Sequence, residues 1–279
     1  MKVLIVGGVA GGATTATRLR RLNEQAEIIM FERGEYISFA NCGLPYYIGG
    51  EITDKADLTV LTPKDLHDRF RVDVRTQNEV IAIDPVAKVV DVKDLKTGEV
   101  YNESYDKLVL ATGAAPLRPK FDGADLDRVF TLRNIPDTYK IKDFIDQRKP
   151  RRALVVGGGY IGVEMAENLH RAGLDVTIVE FLNHVIAPLD YDMAADVHNH
   201  IRQNGVKLMM ETGVTGVYED GGELRGSLGK EEVRTDMVIL SGGVRPDSTL
   251  ALQAELALNG RGAVITDENQ LTSNPDIYA

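Results

Sequence analysis

Cys42 is the only thiol among 279 residues, and it stands in the run Ser38-Phe-Ala-Asn-Cys-Gly-Leu-Pro-Tyr46. A lone thiol cannot close a disulfide within its own chain. Its oxidised partner comes from outside, or is an oxygen atom on its own sulfur. The attacking species is the thiolate, which helix N-terminal amides and nearby arginines favour. Two glycine clusters flank this thiol in sequence: Gly7-Gly-Val-Ala-Gly-Gly12 and Gly157-Gly-Gly-Tyr-Ile-Gly162.

Glycine at such spacing holds a dinucleotide. The first glycine makes a tight turn, the second lets backbone approach a pyrophosphate, and the third lets the following helix pack on the strand. The pyrophosphate caps the helix, and an acid at the end of the next strand takes the ribose hydroxyls. The downstream loop fits fully with Gly157, Gly159, Gly162 and Glu180; Tyr160 and Ile161 lie within it. Glu180 repels a 2′-phosphate, and no Arg follows in Phe181-Leu-Asn-His184. NADH is therefore expected over NADPH, with NADPH still possible. Upstream, Gly7 and Gly12 hold the first and third places, Val9 the middle one, and Glu32 is the acid. Two nucleotide loops and one thiol point to an electron relay from pyridine nucleotide through flavin to cysteine.

These residues need elements to position them. The apolar run Val3–Val6 predicts a buried strand, Ala13–Leu22 a helix carrying Arg18, Arg20 and Arg21, and Ala26–Phe31 a second strand ending at Glu32. Extended segments are expected at Val80–Ile83, Lys88–Val92 and Tyr105–Leu110, with a turn at Thr97-Gly98. The second unit repeats the first: strand Arg152–Val156, helix Val163–Ala172, strand Asp175–Val179. Helices over Asp137–Gln147 and Met193–Asn204, and strands near 206–210, 213–219 and 237–240, complete it. Asn274–Ala279 reads as leading into another buried strand. The fold class is α/β with two Rossmann-like domains, bounded as 1–113 and 114–241, with 242–279 beyond them.

Composition narrows the partners. Hydrophobic residues make up 43% and charged residues 27%, an ordinary soluble mixture. The net charge of −10 argues against a broad nucleic-acid surface. No apolar stretch reaches the ~20 residues of a membrane span. One free cysteine and no disulfide framework fit a reducing cytoplasm. His67, His170, His184, His198 and His200 show no ligand constellation, so no metal is expected.

The motifs Gly7–Ala13, Ser38–Tyr46, Tyr105-Asp-Lys-Leu-Val-Leu-Ala-Thr-Gly113, Thr131-Leu-Arg-Asn134 and Gly157–Glu164 together resemble the coenzyme A disulfide reductases and NADH-dependent persulfide reductases. These form the single-cysteine branch of the FAD-dependent pyridine nucleotide-disulfide oxidoreductases. The resemblance runs the length of the chain and implies an FAD domain over 1–113, an NAD(H) domain inserted at 114–241, and a return to the FAD domain at 242–279. It implies that Gly7, Gly8, Val9, Ala10, Gly11, Gly12, Glu32 and Arg33 bind the FAD adenosine and pyrophosphate. By the same resemblance Asn41, Cys42, Val80, Ala111, Thr112, Gly113 and Arg133 line that cofactor. Tyr160 would cover the flavin until nicotinamide displaces it, Glu164 would sit near both rings, and Gly243 and Val244 would close the nicotinamide pocket. Thr14, Arg18, Arg21, Ser38 and Asn41 match positions that hold coenzyme A. Phe70 falls where relatives carry a cation, with Arg71 adjacent.

The resemblance further implies a homodimer built by a C-terminal dimerisation domain that this chain lacks. An Asp for the flavin ribityl chain is expected just past Ala279, so this chain alone is expected to bind FAD weakly. Cys42 is then the catalytic residue, and the substrate is coenzyme A disulfide or a persulfide of coenzyme A or glutathione. An NADH oxidase or peroxidase cycling a Cys42 sulfenic acid is the alternative; relatives of that kind place His where this chain has Ala10. A non-enzymatic redox-sensing flavoprotein is a third reading, against which the intact second loop, Tyr160 and Cys42 all count.

Overall fold

The computed structural model describes residues 1–229 and 231–279. Contacts divide the chain into two units. The first comprises Met1–Ala40, Thr59–Ala115 and Arg245–Ala279, and the second Asn41–Leu58 and Pro116–Val244.

The first unit is built on a parallel sheet ordered Ile277–Tyr278, Lys107–Leu110, Lys2–Val6, Glu27–Glu32, Asp73–Thr76. Its central strands are covered on both faces, which is why they read as unbroken apolar runs. Leu4 and Val6 face one core with Ile29, Phe31 and the antiparallel strands Asn78–Asp84 and Val89–Asp94. Val3 and Ile5 face the other, with Ile28, Met30 and the helix residues Ala13 and Ala16. Alternate residues thus serve opposite cores, as a strand's period of two requires. The hairpin after Asp94 turns at Gly98, with φ of 80°.

The second unit has the same plan: Lys207–Met209, Asp175–Val179, Arg152–Val156, Met237–Leu240 and Val129–Phe130, all parallel. Helices Ile135–Arg148, Tyr160–Arg171 and Tyr191–Gln203 accompany it, with an antiparallel sheet over Gly216–Asp220, Glu223–Ser227 and Glu232–Thr235. The turn between the first two of those strands contains Gly221 and Gly222, both at positive φ.

Several elements differ from expectation. The helix expected at Ala13–Leu22 begins at Ala10, and the one expected at Val163–Ala172 runs Tyr160–Arg171. The glycines of each loop enter the first helical turn, where small residues let that turn sit against the preceding strand. A helix at Pro63–Phe70 was not expected, although Thr62 and Asp65 form a reciprocal capping box around Pro63. Asn41–Leu58 lies by sequence within the expected 1–113 segment, yet by contacts it groups with 116–244. Leu44, Tyr47 and Ile48 are buried on a short helix, and the Tyr47 and Tyr139 rings meet edge-on at 5.8 Å. Among the described residues no helix is long and apolar enough to cross a membrane.

Candidate functional site

The two glycine loops share the same turn and the same backbone hydrogen bond. Gly7 has φ of 102° and Gly157 of 106°, a backbone conformation that glycine adopts at no steric cost. Each donates its N–H across to the next strand, Gly7 to Phe31 O and Gly157 to Val179 O, both at 2.8 Å. A Cβ on Gly12 would collide with Gly7 O, and one on Gly162 with Gly157 O. Each helix therefore starts pressed against its own loop.

The acids brace the loops. Glu32 accepts from Gly8 N–H at 2.9 Å and from Gly34 N–H at 2.7 Å. Glu180 accepts from Gly158 N–H at 2.5 Å and from Leu182 N–H at 2.8 Å. Neither helix, Ala10–Leu22 nor Tyr160–Arg171, has a side chain capping its N-terminus. Two uncapped helix ends, each behind a glycine cradle and beside a carboxylate, are the arrangement a dinucleotide needs. The residues present fit FAD and a nicotinamide dinucleotide on that ground.

Within the first unit the remaining expected residues fall as follows. Thr14, Arg18 and Arg21 are exposed along one face of the helix, at positions four and three apart. Ser38 has φ of 44° and donates its N–H to Gly8 O at 2.8 Å. Arg71 is exposed at φ of 49°, and one guanidinium nitrogen reaches Glu24 O at 3.3 Å. The Arg21 and Arg69 guanidinium groups approach the Phe70 ring at 5.8 and 5.5 Å. Arg33 pairs with Asp247 at 2.8 Å, and Val80 is buried beside a bulge. Thr112 donates its hydroxyl to Asp247 O, Gly113 O accepts from Asp247 N–H, and Ala111 O lies where a side chain on Gly7 would go.

Within the second unit, Asn41 and Cys42 are exposed on the short turn Asn41–Gly43. Tyr160 is 59% exposed at the helix start, with Ile161 exposed beside it. Glu164, one turn on, is half-buried; burial and the neighbouring Glu167 raise its carboxyl above the ordinary range. Gly243 has φ of 113° and Val244 is exposed. The Arg133 N–H donates to Asp137 at 2.9 Å. Gly7–Gly12, Ala111–Gly113 and the arginine face of the helix thus belong to one unit, and Cys42, Arg133, Glu164, Glu180 and Gly243 to the other.

Four residues carry this geometry without having been anticipated. Arg20 is buried and donates to the carbonyls of Asn23, Glu24, Ala26, Phe70 and Arg71. Asp247 holds Arg33 and the Thr112–Gly113 turn. Asn168 is buried on the Tyr160–Arg171 helix against Gly49, where a Cβ would collide with its amide oxygen. Ile186 mirrors Ser38, with φ of 52° and its N–H donated to Gly158 O. The sequence signal for Arg20 was its place on the stripe Gly12, Ala16, Arg20, opposite Arg18; the others carried none.

The family profile of pyridine nucleotide-disulphide oxidoreductase matches residues 1–279. Over 278 residues the chain is 38% identical to a coenzyme A disulfide reductase from Staphylococcus epidermidis, covering 100% of this chain and 62% of that protein. Reduced CoADR-RHD from Bacillus anthracis superposes with a TM-score of 0.96 at 51% identity, covering 100% of this chain and 50% of that one. A NAD-dependent persulfide reductase from A. fulgidus gives 0.96 at 34% identity, with 100% and 52% covered. The chain spans 62% of the length of the first curated relatives it matches.

Proposed function

Because the chain belongs to the pyridine nucleotide-disulphide oxidoreductase family, we propose that it carries the FAD- and NADH-binding core of an enzyme reducing coenzyme A disulfide or a persulfide through Cys42. One observation carries this reading: two matching, uncapped glycine cradles in a chain with a single, exposed thiol. The first unit would hold FAD, by the Gly7–Gly12 loop, Glu32 and Ala111–Gly113. The second would hold NADH, by the Gly157–Gly162 loop and Glu180, with Gly243 and Val244 beside the nicotinamide. Bound in these cradles, the two cofactors would supply a two-electron path from NADH to sulfur.

The chain's own part is at sulfur. The Cys42 thiolate attacks one sulfur of the substrate disulfide and displaces the other half as a thiolate. The mixed disulfide left on Cys42 takes two electrons, restoring the Cys42 thiolate and freeing the second thiol. With a persulfide, the same attack moves the outer sulfur. Within these 279 residues no second cysteine competes for the mixed disulfide. The exposed Thr14, Arg18, Arg21 and Arg71, with Ser38, would receive the phosphates and pantetheine of coenzyme A. We also propose a homodimer and a reducing cytoplasm, the latter fitted by the free thiol.

The experiment is Cys42→Ser. NADH should still bleach the flavin of this variant, while turnover with coenzyme A disulfide or persulfide falls by at least ~10³-fold, the order expected for loss of a nucleophile. Near-normal turnover would refute the reading.

A further inference from the structure

His198 has no part in the reading above, yet it lies beneath the second cradle. The chain after Glu180 turns back under the Gly157–Gly162 loop. There Ile186 donates its N–H to Gly158 O at 2.8 Å. The Val185 side chain sits 2.8 Å from where a Cβ on Gly158 would stand, and Gly158 N–H in turn binds Glu180. This turn passes through Ile186 at φ of 52°. A β-branched residue pays heavily for that conformation, so something must hold it there. The first unit makes the same turn at Ser38, a residue that tolerates it more easily, with Ile37 packed on Gly8.

The holding contact in the second unit is specific. His198 is 5% exposed on the helix Tyr191–Gln203, and its Nε2 accepts the N–H of buried Val185 at 3.1 Å. An accepting Nε2 carries no proton, so the proton of the ring is on Nδ1. Tyr191 stands edge-on, 6.2 Å from His198 and 6.2 Å from His184 of the turn itself. We propose that His198 is the positioning residue of the NADH cradle: by accepting the Val185 N–H it fixes the 181–186 turn, and through it Gly158 and Glu180. The inference rests on the proposed NADH site and adds the group that sets its shape and its preference for a ribose without a 2′-phosphate.

The charged and titratable groups bearing on the ring are Arg202 from its own helix and His184 from the facing turn. Burial first, then Arg202 and His184, hold its pKa below the ordinary imidazole value. Protonation in acid makes Nε2 a donor and breaks the contact with Val185.

The test uses the flavin-loaded full chain and ADP-ribose, which carries the half of NADH that meets this turn. Titration calorimetry at about pH 8 should give His198→Phe a Kd for ADP-ribose raised by about 5- to 10-fold, the worth of one buried hydrogen bond. Its preference over 2′-phospho-ADP-ribose should shrink, and its flavin content should not change. His198→Gln, which keeps an acceptor at similar reach, should bind almost as tightly as the parent. The parent should also lose affinity as pH falls below about 6, and His198→Gln should not. Unchanged ADP-ribose affinity in His198→Phe overturns the inference while leaving the NADH site standing. A parent that binds no ADP-ribose overturns the site and the inference together. Should His198→Phe fail to fold, the pH profiles decide, and equal acid losses in parent and His198→Gln overturn the inference.

Discussion

A single methyl group should separate the two cradles. Gly12→Ala sets a Cβ against Gly7 O, and Gly162→Ala does the same against Gly157 O. Gly12→Ala should take up less flavin than the parent at equal added FAD, read from its absorbance. Gly162→Ala should keep its flavin and show a KM for NADH raised by at least ~10-fold, about 1.4 kcal/mol of lost binding. If both variants lose flavin equally, the assignment of one cofactor to each loop is wrong. Glu180 allows a second check at this scale. Its oxygens hold Gly158 and Leu182 N–H, so Glu180→Gln keeps one acceptor and removes the charge. The ratio of kcat/KM for NADH over NADPH should fall by about 10-fold or more. An unchanged ratio would show that Glu180 does not set the preference.

Three arginines of one helix do different things. Arg20 points into the unit and ties five carbonyls from the ends of Ala10–Leu22 and Pro63–Phe70. Arg20→Met should cost about 2–4 kcal/mol, because it leaves buried acceptors without donors. Arg18→Gln and Arg21→Gln should leave Tm within a degree or two but raise the KM for coenzyme A disulfide, with a weaker salt dependence than the parent. Chemical denaturation and kinetics at two ionic strengths separate these effects. The residue types alone do not distinguish the three. Spacing placed Arg18 and Arg21 on one face, and the same spacing puts Arg20 on the Gly12–Ala16 stripe. The helix at Pro63–Phe70, not expected from the sequence, nevertheless has a local start signal in Thr62, Pro63 and Asp65, which needs no long-range information. The docking of Leu44, Tyr47 and Ile48 was not legible. A five-residue apolar stretch carries no sign of which helices will cover it.

The repeated plan of the two units was legible for the opposite reason, since strand, loop, helix, strand and acid occur twice with the same residue types. The strand at Ile277–Tyr278 was legible too, from an apolar pair after a turn-forming Asn-Pro. Charge pairing bears on the molecule as a whole. Burial alone would raise Glu103 and Asp236. Lys2 and Arg75 outweigh it at the first, and Arg152 with the Arg151 and Arg152 N–H groups at the second, so both carboxyls titrate below the ordinary range. Hydrogen bonds from Lys107 and Lys88 likewise lower Asp276. A depressed carboxylate stabilises the fold above its unfolded pKa and loses that contribution as pH falls through the folded value. Tm should therefore hold near neutrality and drop as pH falls below about 4. Asp236→Asn should lower Tm at pH 7 and flatten this drop, and a Tm that rises on acidification would contradict the pairing.

Lys107–Leu110 is flanked by Lys2–Val6 on one side and by Ile277–Tyr278 on the other. On the ribosome these neighbours arrive far apart in time. Every residue of the second unit has been translated before Ile277 is added, so that unit can finish folding first. Throughout that interval the nascent first unit shows an unpaired apolar strand edge, the kind of surface that mispairs with other chains. Slowing translation between residues 244 and 277 should lengthen that exposure, and the cell's holding chaperones would be engaged mainly by the first unit.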